Sequence, residues 1–116
     1  DLTSIRNKMS KQYDETGFSA PIGPDSTCSE LVGFLKPAIE ESVGKSYRWM
    51  KCAEYRKQEI YGTNYKIKVR TGDDEFMHLH VYKPPNRPAQ LNFLERNRAK
   101  DEPLSLPFDL TSIRNL

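Results

Sequence analysis

Apolar positions along this chain change their period once, and the change separates a helical part from an extended part. Cys28, Leu31, Val32, Leu35, Ile39 and Val43 recur three or four residues apart, the spacing that gathers side chains on one side of an α-helix. Thr27 and Glu30 fit a reciprocal cap, so the helix is predicted to begin near Pro24, Asp25, Ser26 and Thr27. Gly44 is a suitable stop. Glu40 and Glu41 fall off the stripe. Pro37 lies within it, removes one backbone hydrogen bond and predicts a bend.

From Tyr47 the period is two. Residues 47–60 are long enough for one strand, and Tyr61-Gly62 supplies a turn. Tyr65, Ile67 and Val69 then alternate with Lys66, Lys68 and Arg70. After a turn at Gly72-Asp73-Asp74, Met77, Leu79 and Val81 alternate with His78, His80 and Tyr82. The run Pro84-Pro85-Asn86-Arg87-Pro88 reads as a rigid loop. Leu91 to Leu94 is a further apolar run, and a short strand ending at Phe108 is expected after it. The fold predicted is α+β, with one N-terminal helix packed on a four- to five-stranded antiparallel sheet. The helix stripe covers the apolar face of the sheet, and the face carrying His78 and His80 is expected to be solvated.

The ends add a domain boundary. Asp1 to Asn7 reads DLTSIRN, and Asp109 to Asn115 reads DLTSIRN again. A repeat whose period is nearly the whole chain is no solenoid. The simplest division is a single domain over residues 9–108 with added flanks at 1–8 and 109–116. The rival is an element that pairs the two ends. Residues 9–24 are rich in Gly, Pro, Ser and charge without a period, and read as a mobile N-terminal arm.

Composition narrows the function by exclusion. The 116 residues suit one domain, and the formal charge of +2 carries no basic run of the kind nucleic acid requires. No apolar stretch approaches a membrane span, and none opens the chain as a secretory leader would. Two cysteines, Cys28 and Cys52, fit free buried thiols in a reducing compartment, with one disulfide as the alternative.

Catalytic chemistry finds little support. His78 and His80 share one strand face but lack a third ligand at metal spacing. Cys52 falls mid-strand, away from any helix N-terminus that would activate its thiol. Asp73, Asp74 and Glu75 read as a solvated turn. Neither a Gly-rich phosphate loop nor a nucleophile elbow is present. The residues therefore point away from an enzyme, and no cofactor or metal is expected.

Gln58-Glu59-Ile60-Tyr61-Gly62-Thr63-Asn64-Tyr65 resembles the cystatin signature, a Gln-x-Val-x-Gly loop running into a Thr-Asn-Tyr strand start. Met77 to Lys83, Leu35-Lys36-Pro37 and Asn97 to Glu102 resemble, respectively, the strand that leads into the second loop, the helix and the C-terminal segment of the stefin family. The resemblance runs from about Gly17 to Phe108. It implies a cytoplasmic inhibitor of papain-like cysteine proteases such as cathepsins, reversible, competitive and tight-binding, acting through a tripartite wedge. Its protease-binding residues would be Thr16, Gly17 and Phe18 in an N-terminal trunk, then Gln58, Glu59, Ile60, Tyr61 and Gly62. A second loop would add Pro84, Pro85, Asn86 and Arg87. The resemblance further implies a monomer able to exchange domains into a dimer. Glu59 and Tyr61 are larger than the family's usual residues, and the second loop is shorter. The alternative is a binding module of the same fold that has lost inhibition.

Overall fold

The computed structural model describes residues 17–104. Helix α1 spans Ser26–Val43, and four strands follow: β1 Lys51–Glu59, β2 Thr63–Gly72, β3 Glu75–Lys83 and β4 Gln90–Arg98. They form one antiparallel meander in the order β1-β2-β3-β4. The expected strand near Phe108 lies outside the described residues.

The helix starts two residues earlier than Thr27 would place it. Asp25 is the N-cap, extended in backbone, and its carboxylate accepts from the Cys28 N–H at 3.0 Å. An aspartate cap satisfies an orphan first-turn donor and also complements the helix dipole. Its other oxygen accepts from the Tyr55 hydroxyl at 2.8 Å, fastening the cap to β1. These two bonds hold the Asp25 carboxyl below the usual range, while burial and then that carboxylate push the Tyr55 phenol up to about 12. The helix ends at Gly44, whose φ of 78° suits a residue without a Cβ. Glu40 turns the chain onward by accepting from the Tyr47 N–H at 2.8 Å.

Cys28, Val32, Leu35 and Ile39 of α1 pack against Tyr65, Ile67, Val69, Met77, Leu79, Val81 and Leu94 of the sheet. Strand β1 does not alternate simply, because a bulge between Cys52 and Glu54 shifts the register. The extra residue lets both Cys52 and Tyr55 reach the helix side.

Two expectations are corrected. Cys28 and Cys52 are joined in a disulfide, with Cα atoms 6.0 Å apart, and are not free thiols. The first turn of α1 and the start of β1 face each other across the core, and that juxtaposition is invisible in the spacing of the cysteines. The polar sheet face, in turn, is not solvated. Lys66, Lys68 and His78 are buried, together with Phe18, Phe93 and Leu104. The Lys66 ammonium lies 4.7 Å from the centroid of the Phe18 ring. Lys68 donates to the Lys100 carbonyl at 2.7 Å and pairs with Glu54 at 3.2 Å. Chain segments on both sides of the domain return across this face and cover it.

Candidate functional site

Three candidate segments converge at the end of the sheet opposite the Gly72 turn. Alternate turns of a meander fall on the same edge, so the β1–β2 and β3–β4 loops are neighbours. The described part of the N-terminal arm joins them. It is extended along the edge of β1, with the Ser19 N–H donating to the Lys57 carbonyl at 2.8 Å. Ile22 and Tyr55 exchange a pair of backbone hydrogen bonds at 2.7 and 3.0 Å. Arg56 adds a bond from Nε to the Ser19 carbonyl at 2.7 Å.

The junctions between the segments are close. A Cβ on Gly17 would lie 3.7 Å from Gln58 Nε2, which places the arm beside the root of the first loop. A Cβ on Gly62 would lie 2.6 Å from the Lys83 carbonyl oxygen and 3.1 Å from Pro85 Cδ, which places the first loop against the second. The Tyr82 hydroxyl donates to the Tyr61 carbonyl, and Asn64 Nδ2 donates to Gln58 Oε1 at 3.1 Å. Each segment has a left-handed residue at its bend: Gly17 at φ 87°, Tyr61 and Gly62 at 41° and 96°, and Asn86 at 57°. For Tyr61 that conformation is unusual and marks a turn held by its surroundings.

Exposure separates the tips from the supports. Ile60 and Tyr61 are 61% and 84% exposed, an apolar tip standing clear of the domain. Pro85, Asn86 and Arg87 are exposed, whereas Pro84 is buried. Glu59 is exposed and pairs with Lys57 at 3.2 Å. Phe18 is buried against the sheet, so it anchors the arm and leaves Gly17 as the exposed part. Thr16 lies outside the described residues. Tyr82 and Asn64 are not among the site residues expected from the sequence. They sit opposite each other in the β2–β3 register, a pairing that becomes visible only once that register is known.

The arrangement offers shape, not reactivity. Both cysteine sulfurs are in the disulfide. Burial first, then the charge of Lys68, lowers the His78 imidazole to about 4; burial and Lys66 lower His80 to about 4. Both rings lie on the covered sheet face, away from the loop tips.

Comparison with known proteins gives the family. No family model matches the chain. It is 34% identical over 89 residues to cystatin-A2 of Dictyostelium discoideum, covering 77% of this chain and 93% of that protein. It is 37% identical over 79 residues to cystatin-A of Homo sapiens, covering 66% and 81% of the two chains. The chain belongs to the stefin family of the cystatin superfamily. A third relative, cystatin-B of Oplegnathus fasciatus, is 40% identical over 67 residues, covering 58% of this chain and 67% of that protein. This stefin has the fold of its family, one helix on a four-stranded antiparallel sheet, and is not an enzyme. Its general function is that of the family, inhibition of cysteine proteases, and papain-like cysteine proteases are its partner class.

Proposed function

We propose that this stefin is a reversible, competitive, tight-binding inhibitor of papain-like proteases of the cathepsin type, and that it acts by filling the active-site cleft. Gly17, the Gln58–Gly62 loop and the Pro84–Arg87 loop would enter as one wedge, with Thr16 continuing the trunk. The observation that carries this reading is the contact chain from Gly17 to Gln58 and from Gly62 to Lys83 and Pro85. It makes one edge from three segments far apart in sequence. Tips held between paired strands lose little freedom on docking, so more of the contact energy appears as affinity. Ile60 and Tyr61 supply apolar surface for the floor of a cleft, where buried anchors dominate binding. An inhibitor of this kind offers no peptide bond to the protease thiolate and so resists cleavage.

A cytoplasmic, monomeric protein is part of the proposal on family grounds, and the Cys28–Cys52 disulfide stands against the first of these. Disulfides persist in oxidising compartments. Alkylation of the protein in a lysate of its own cells, before reduction, distinguishes the two.

The test of the wedge is a titration against papain. The wild type should inhibit competitively, and Gly62→Leu should weaken inhibition at least about 30-fold, the equivalent of about 2 kcal/mol. Absence of inhibition by the folded wild type would instead support the non-inhibitory binding module. Exchange of domains through the first loop would use up that loop, so a dimer peak in size exclusion should be inactive.

A further inference from the structure

We infer that the protease contact does not end at the three tips but continues onto a groove between helix α1 and the second loop, with Phe34 as its principal residue. This inference rests on the wedge reading. The groove, of about 220 Å³, is lined by Glu30, Leu31 and Phe34 on the helix and by Lys83, Pro88 and Ala89 on the other side. Lys83 immediately precedes the Pro84–Arg87 loop and Pro88 immediately follows it, so both stems of that loop form one wall. Lys83 also ties the groove to the first loop, because its carbonyl is the atom nearest to where a Gly62 Cβ would stand. First loop, second loop and groove are therefore one continuous surface.

Phe34 is 61% exposed. The helix does not need it there. Its apolar stripe is complete with Cys28, Val32, Leu35 and Ile39, and Phe34 lies off that stripe, on the edge of the groove. An exposed aromatic beside an apolar recess is a feature of interaction surfaces, where aromatic residues are enriched and supply much of the energy. The occupant is the same protease. Once the second loop enters the cleft, the protein surface that comes to lie against its stems is the rim of that cleft. Leu31, Phe34, Pro88 and Ala89 would receive an apolar side chain from the rim, with Glu30 and Lys83 as the polar border. Because the rim lies outside the catalytic groups, Phe34 would help to set which proteases are bound tightly.

The experiment compares wild type, Phe34→Ser and Ile60→Asp in inhibition of papain, together with melting temperature and dissociation rate. Both residues are exposed, so both variants should melt within about 3 °C of wild type. Phe34→Ser should raise the inhibition constant about tenfold, mostly through faster dissociation, and Ile60→Asp by more. If Ile60→Asp loses inhibition and Phe34→Ser does not, the groove assignment is wrong and the wedge stands. If Ile60→Asp inhibits as the wild type does, the wedge reading has failed and the groove assignment falls with it. Concentration-dependent self-association abolished by Phe34→Ser, with inhibition unchanged, would give the groove to a second copy of the chain and overturn the proposal.

Discussion

Gly62 lies so close to the backbone of Lys83 that a Cβ on it would stand 2.6 Å from the Lys83 carbonyl oxygen. The same glycine has a φ of 96°, which L side chains rarely adopt. Two independent constraints thus require glycine where the first loop meets the second.

A side chain at position 62 should therefore separate the two loops. Gly62→Ala should already weaken papain inhibition about tenfold or more, and Gly62→Leu further, while Asp73→Ala at the opposite end of the sheet should leave the inhibition constant within about twofold. Steady-state inhibition with the melting temperature as a folding control checks this. Equal losses from Asp73→Ala and Gly62→Ala would place the binding edge elsewhere.

The Cys28–Cys52 disulfide closes a loop across a sequence separation of 24. A crosslink of that span removes about 3.5 kcal/mol of unfolded-chain entropy in the loop-closure model. Reduction, or the pair Cys28→Ala and Cys52→Ala, should lower the melting temperature by roughly 10 °C or more. Alkylation of the unreduced, denatured protein should add no label. Two labels would show that the thiols are free after all.

Acid should loosen the covered sheet face before it affects the carboxylates. His78 and His80 are held near 4, against about 6.5 in an unfolded chain. Between these values the unfolded chain binds more protons, so stability is full above about pH 6.5 and falls as the pH drops toward 4. The neighbouring charges are Lys66 beside His80, and Lys68, Arg98, Glu54 and Glu102 around His78. Asp25, Glu40 and Glu102, all lowered, extend the loss below the ordinary carboxylate range. Melting temperature should fall by about 5 °C or more from pH 7 to pH 5, and His78→Gln should flatten that slope. An unchanged slope in His78→Gln would count against burial as the cause.

Asp25 serves the helix and the sheet together, through Cys28 and Tyr55. Asp25→Ala should lower the melting temperature by roughly 5 °C. Asp25→Asn, which keeps an acceptor for the cap, should recover part of that loss. Thermal denaturation of the three proteins checks it, and a fully stable Asp25→Ala would mean that the cap is dispensable.

The sequence by itself determined the helix, its stop at Gly44, three of the turns and the two alternating strands. Each is a local matter: a period of 3.6 or 2, a glycine, a pair of prolines, all acting within a few residues. It also supported the family, because the Gln58–Tyr65 run and the Met77–Lys83 strand stand together in order. Contacts between distant residues were decided only by the tertiary structure. Cys28 and Cys52 meet because α1 crosses the start of β1, and the bulge at Ala53 turns Cys52 to the helix side. Lys66 and Lys68 read as solvent-facing in a strand that alternates, yet they are buried, because Phe18 and Leu104 come from opposite ends of the described chain to cover that face. Period and propensity describe the face a residue takes. What lies against that face depends on how the rest of the chain returns, and the return of Gly17 to Gln58 and of Gly62 to Lys83 makes one edge of the loops.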